Sequence, residues 1–353
     1  DVNDYAYTII HCNADWKPSS LSDMEYIEGY TEADIEEYQF AFNTFTAFTN
    51  YQMIFPNEDM TFTKSGNYIL LVYNNDTDEP IFTRRFCIVE PQMQILAKMG
   101  NTADVSKLKT HHEIDFDVRH RGLRIQSPQT EIQATIIQNN QWHTAISGIR
   151  PLFIRPEVMR FDFQDKIVFP AGNEYRNLNL RSFQYRTENM FDIQDSGNSS
   201  TITLKLDEKR EFEPYSFISD LNGGFVIENN HFDNFDLESD YGTVVFTLQS
   251  NSPFYNADVY IVGSMNDWEL TDDNKMTYDE SYRAYQGDVF LKQGFHNYMY
   301  AVKDKSTGEI SYKATEGNFF QTENSYNIFI YYRPFGERYD RLVAVQTANS
   351  NIR

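Results

Sequence analysis

The 353-residue chain reads as an all-β protein built from several immunoglobulin-like sandwiches. Three observations predict this. Aromatic residues make up 16% of the chain, and its 28 Phe and 24 Tyr recur inside runs that also hold Val, Ile and Thr, which is strand composition. Short apolar runs alternate with polar residues at period two and are separated by Asn, Asp, Gly and Pro turn signals. No helical stretch alternates with these runs, which argues against a parallel α/β sheet.

The first expected unit, residues 1–91, opens on a strand from Tyr5 to Cys12 and a loop from Ala14 to Ser20. Thr31-Glu32-Ala33-Asp34 before Ile35 has the form of a capping box, so a short helix is expected to about Gln39. The β-signal resumes from Phe45 to Phe55. Tyr68 to Tyr73 and Ile81 to Glu90, joined by the polar loop Asn74 to Pro80, read as a hairpin.

The second expected unit is 92–235. Ile114, Phe116 and Val118 alternate with Asp115, Asp117 and Arg119 as a half-buried strand. Glu131 to Gln138 and Trp142 to Ile146 flank Asn139-Asn140 as a hairpin, and the runs ending at Phe163 and starting at Lys166 flank another turn. The last unit, 236–353, carries six strand runs spaced by turns, enough for a small sandwich. In its stretch ADVYIVGSMNDW (257–268), Val259 and Ile261 fall on one face and Tyr260 and Val262 on the other, so this strand is expected to be covered on both sides. Gly263 ends it, and the turn Ser264 to Asp267 fixes Trp268 just beyond.

Charge narrows the partners. With 52 Asp and Glu against 30 Lys and Arg, the net charge of −22 repels phosphate backbones and anionic lipid, so nucleic acid and direct lipid binding are set aside. No run approaches the ~18 apolar residues of a spanning helix, and a mean hydropathy of −0.58 argues against a lipid-facing barrel. The chain opens on Asp1-Val2-Asn3 with no Met and no basic-then-apolar segment, which reads as a mature chain whose export signal has been removed. Cys12 and Cys87 could form a disulfide if their strands are neighbours; the alternative is two buried free thiols.

The sequence contains no G-x-S-x-G, P-loop, H-E-x-x-H, C-x-x-C or G-x-G-x-x-G motif, so no catalytic residue, cofactor or metal is expected. His111-His112-Glu113 could hold a metal, but neighbours on a strand point to opposite faces, and solvated side chains are favoured. Asp115 and Asp117 share a face and are expected to be exposed rather than a carboxylate pair. The acidic run Asp233, Asp236, Glu238, Asp240 lacks the order of a calcium loop and reads as a solvated linker. Arg84 and Arg85, beside Phe82 and Phe86, either contact an acidic partner or brace a domain junction. Trp268 either stacks on a ligand or fills a core, Trp16 is open in the same way, and Trp142 belongs to a core.

The motif Gly263 to Trp268 resembles the glycogen-binding early-set modules of starch enzymes and of glycogen-binding kinase β-subunits. That resemblance implies an early-set fold for the last unit and a glycan ligand stacked on Trp268, with Asn266 in the turn and Tyr312 as the second aromatic. A wider resemblance runs from end to end. YTIIHCNADWKPSSL (7–21), SGNY (65–68), TRRF (83–86), GNEY (172–175), SDY (239–241), LKQGFHNYMY (291–300) and ENSYNIFIYYR (323–333) resemble the type IX secretion system plug protein family. It implies a periplasmic, non-enzymatic protein that plugs the periplasmic opening of a large outer-membrane translocon barrel by protein contact. Glycan binding through Trp268 is the alternative function.

Overall fold

The N-terminal stretch folds as a β-unit because its apolar residues sit two apart and its turns fall on Asn, Asp, Ser and Pro. The computed structural model describes residues 2–350. Strands β1 (Tyr5–Cys12), β2 (Ile27–Gly29), β3 (Glu32–Asp34), β4 (Glu37–Phe40), β5 (Thr49–Gln52), β6 (Met60–Phe62), β7 (Gly66–Asn74) and β8 (Pro80–Ile88) come first. They form a sheet β3-β1-β7-β8 and two ribbons, β2-β6 and β4-β5, around Tyr7, Ile9, Tyr26, Met60 and Tyr68. The helix expected to run to Gln39 is replaced by the β4-β5 ribbon. A single helical turn fixes several residues for one hydrogen bond, whereas Tyr38 opposite Tyr51 gives the ribbon a ring contact at 5.9 Å.

Cys12 and Cys87 are not on neighbouring strands. Both are in register with Asn67 on β7, from opposite sides. Two strand spacings, about 10 Å, exceed disulfide reach. Both thiols are free, and burial pushes Cys12 up to about 11 and Cys87 up to about 12.

The middle of the chain supplies β9 (Gln94–Asn101), β10 (His111–Arg119), β11 (Ile132–Gln138), β12 (Gln141–Ile149), β13 (Phe153–Arg155), β14 (Val158–Phe161) and β15 (Val168–Pro170). Asn139 (φ 48°) and Asn140 (φ 60°) turn the β11-β12 hairpin in the left-handed backbone that Asn tolerates. The turn after Phe163 makes no hairpin. Because β9 occupies one edge of β10, β14 and β15 lie end to end along the other.

Next come β16 (Arg176–Asn179), β17 (Met190–Asp195), β18 (Ser200–Leu204), β19 (Phe225–Ile227), β20 (Tyr241–Gln249), β21 (Ala257–Val262), β22 (Lys275–Asp279), β23 (Ala284–Lys292), β24 (Gly294–Asp304) and β25 (Ile310–Ser311). They follow the path β16-β24-β21-β22-β23-β20-β18-β17, with β19 and β25 also on β24. As expected, β21 is covered on both faces. Val259 and Ile261 enter the main core with Val244 and Phe246, while Tyr260 and Val262 enter a second cluster with Trp268 and Met299.

The last two strands, β26 (Ser325–Tyr332) and β27 (Arg341–Asn349), leave this unit. β26 pairs with β11 and β27 with β26, giving a sheet β12-β11-β26-β27. Its inner residues Ile132, Ile136, Ile328 and Ile330 pack on Ile114, Phe116, Met159 and Phe161 of the facing sheet. The middle sandwich thus combines 94–170 with 325–349, and β16 to β25 are inserted between its strands, across the boundary expected at 235. The helices among the described residues are single turns, none long enough to cross a membrane.

Candidate functional site

The residues singled out by sequence converge on the junctions between the three β-units. Strand β8 presents Arg84 and Arg85 to opposite sides. The Arg85 guanidinium lies 4.8 Å from the Trp16 ring and 5.9 Å from Trp142, and these two indoles meet edge to face at 4.7 Å. Trp142 continues onto Phe329 at 5.3 Å. This column of cation and aromatics joins the N-terminal unit to β12 and β26, so Arg85 braces a junction. Beside it, Tyr331 Oη donates to Asn67 Oδ1 at 2.8 Å, the Ala14 amide donates to Asp340 at 2.9 Å, and Arg338 pairs with Glu25.

Arg84 reaches the third unit. It pairs with Asp267 at 2.8 Å, in the turn before Trp268, although both side chains are about half exposed and such pairs contribute little. Within that turn Asn266 holds the backbone, accepting from the Gly263 amide at 3.0 Å and donating to the Ile261 carbonyl at 2.8 Å. Asp267 and Trp268 both take left-handed φ, which swings the indole inward. Trp268 is 8% exposed and lies 5.6 Å from Tyr175. A Cβ on Gly223 would come within 2.3 Å of its Cη2 atom, so the 223 loop covers the ring and only glycine fits there. The indole has no open face to offer a sugar. Tyr312 packs, partly buried, against the same cluster, with its hydroxyl pushed up by burial.

A cavity of about 620 Å³ separates the middle and third units here, lined among others by His111, Gln141, His143, Tyr175 and Tyr312. Tyr175 spans its wall, with its hydroxyl accepting from Gln141 Nε2 at 2.7 Å and Asn139 Nδ2 at 3.1 Å. Burial holds His143 and His111 below the ordinary imidazole value, and the lining carries one carboxylate, Glu309, and one ammonium, Lys313.

The third junction is the tip of the β4-β5 ribbon. The buried Asp240 carboxylate accepts from the amides of Phe45 at 2.8 Å and Thr46 at 3.0 Å, while Phe48 packs on Tyr241 at 5.1 Å beneath the Lys292 ammonium. The acidic run 233–240 is therefore only partly the solvated linker expected: its last member is buried and clasps another unit. Nothing in the local sequence signals this, because the partners are backbone amides some 195 residues away.

His112 and Glu113 also differ from expectation. Rather than solvated, His112 is fully buried between the Tyr326 hydroxyl at 2.9 Å and the Phe320 carbonyl at 2.7 Å, and Glu113 accepts from the Ala103 amide. Asp117 is bound by both arms of Arg160 at 2.9 and 3.2 Å, whereas burial, reinforced by Asp162 and Glu113, pushes Asp115 up to about 6. The Ser19–His11 contact at 2.8 Å is closed at the other ring nitrogen by the Ser65 carbonyl at 3.2 Å. No group of three His, Cys, Asp or Glu side chains suited to a metal occurs among the described residues. The arrangement serves to hold three units in one relation.

Residues 1–90 match the type 9 secretion system plug protein first domain. A crystal structure of a hypothetical protein from Parabacteroides merdae ATCC 43184 superposes with a TM-score of 0.95 at 34% identity, over 99% of this chain and 88% of that one. No curated protein matches the chain. The match over residues 1–90 places the N-terminal unit in the type 9 secretion system plug protein family as its first domain, and the end-to-end likeness shows that the Parabacteroides protein shares the fold of the whole chain.

Proposed function

We propose that the protein is a non-enzymatic periplasmic component of type IX secretion that closes the periplasmic opening of an outer-membrane translocon barrel by protein–protein contact. The observation that carries this reading is the bracing of all three pairs of units. The Arg85–Trp16–Trp142 column joins the first to the second, the Asp240 clasp joins the first to the third, and Tyr175 with Gln141 joins the second to the third. A plug has to resist deformation across its width, and units tied pairwise form a stiffer body than a string of domains on linkers. It also has to leave, and a charged, polar exterior favours reversible contact over permanent burial.

The test is affinity purification of the tagged protein from gently solubilised envelopes, with partners identified by mass. Recovery of a very large outer-membrane barrel is the expected result. Absence of any barrel, under extraction that keeps that barrel bound to its other subunits, overturns the proposal.

A further inference from the structure

The outer face of the sheet β13-β14-β10-β9 departs from the acidic character of the chain. Register places Arg119, Val158 and Arg155 in one row across β10, β14 and β13, and Asp117, Arg160 and Phe153 in the next. Both rows point away from the core, because the intervening Phe116, Val118, Met159 and Phe161 are the buried ones. Arg160 is held by Asp117. Among the described residues the exposed side chains of Arg119 and Arg155 make no ion pair or hydrogen bond, although the chain holds 52 carboxylates. The six side chains of the two rows line a shallow cavity of about 190 Å³, and Phe153 is 56% exposed at its rim.

The same face ends in an open edge. β13 bonds to β14 on one side and, among the described residues, to no strand on the other. A free edge accepts an extended chain through main-chain hydrogen bonds, and side chains two apart on that chain then meet the exposed rows.

We infer that β13 and the Arg119–Arg155 row form a docking site for an extended, carboxylate-bearing peptide segment of a partner protein. The segment adds to the edge of β13. A glutamate level with Arg155 reaches over Val158, where Arg119 meets it from the other side, and an apolar residue two positions away covers Phe153. Charge complementarity selects this occupant: the guanidiniums take an anion that offers two acceptor oxygens, the edge needs a backbone, and a carboxylate-bearing peptide supplies both. The site is separate from the unit junctions and does not rest on the plug reading, since its test uses no barrel.

The test is fluorescence anisotropy of the labelled peptide Thr-Val-Thr-Glu-Thr-Val-Thr with the full chain, whose folding is checked by circular dichroism. The symmetric peptide presents Val two residues from Glu in either strand direction. Binding is expected to weaken at least about tenfold in Arg119→Gln/Arg155→Gln and with the Glu→Gln peptide. The charge-matched control Arg186→Gln/Arg283→Gln should leave binding unchanged. Of two peptides N-methylated at alternate residues in opposite phases, the one whose methyl groups replace the N–H groups facing β13 should also bind more weakly. No binding by the unaltered protein at millimolar peptide, equal loss in both double variants, or full binding by both N-methylated peptides would each overturn the inference.

Discussion

Replacing Asp240 by Ala removes the acceptor that ties the tip of the β4-β5 ribbon to the third unit. The carboxylate, only 7% exposed, receives two backbone N–H bonds from the ribbon tip, at 2.8 and 3.0 Å, besides one from its own neighbour Tyr241. Hydrogen bonds to a charged group contribute about 1.5–3 kcal/mol each. The ribbon tip can rehydrate once released, since Phe45 is already 53% exposed, so the lower end applies. Two such bonds then sum to about 3 kcal/mol, or roughly a hundredfold in the local opening equilibrium. Other contacts, among them Phe48 against Tyr241, the Phe42 amide on the Leu237 carbonyl at 3.2 Å and Asn43 Nδ2 on Glu238 at 2.7 Å, keep the ribbon near its seat. Opening should therefore be local. Hydrogen exchange read by mass spectrometry over residues 41–48 should accelerate about a hundredfold in Asp240→Ala and about tenfold in Asp240→Asn, which keeps one acceptor oxygen. Exchange within about threefold of the unaltered protein would refute the clasp.

Three further outcomes follow from buried groups. Glu316 is fully buried between Arg176 at 3.1 Å and Arg210 at 2.7 Å, so Glu316→Gln should lower stability in urea by about 3–5 kcal/mol. Burial alone pushes Glu316 up, but the two guanidiniums outweigh it and hold the carboxyl below its usual value, so this contribution is present above the unfolded value and lost as pH falls below it. Trp268→Ala should cost about 3–5 kcal/mol as a core truncation, and a change in urea stability under about 1 kcal/mol would return the indole to a ligand-facing role. His11, His112 and His296 are held neutral by burial, below 6.5, so the unfolded chain takes up more protons and stability should fall as pH drops below that value. Asp115, pushed up to about 6, has the opposite sign below pH 6, and an unfolding midpoint that rises from pH 7 to 6 would contradict the histidine assignment.

Period-two alternation made most strands legible, and the Asn139-Asn140 hairpin could be read to the residue because both turn positions demand left-handed backbone. Long-range partners were not legible. β26 has the same alternating pattern whether it pairs within the third unit or with β11, so only coordinates distinguish the two. The stretch 35–40 misled for a related reason: its capping signal is local, whereas Tyr38 earns its extended backbone from Tyr51, across the ribbon. Arg85 and Trp16 were marked by type, but their stacking on Trp142 depends on β8, β12 and the loop after β1 meeting.

The insertion also sets an order of events during synthesis. Ile132 pairs with Tyr332, a separation of 200 residues, so β11 cannot receive its second neighbour, β26, until those 200 residues exist. At about 5–20 residues per second that interval is roughly 10–40 s. Throughout it the nascent middle sandwich has Ile132, Ala134 and Ile136 beside an unpaired edge, and the inserted unit gains every strand of its own sheet before that edge is filled. The C-terminal hairpin is thus the closing stitch of the molecule, and a chain stopped before Ser325 would present a long apolar edge to whatever strand it met first.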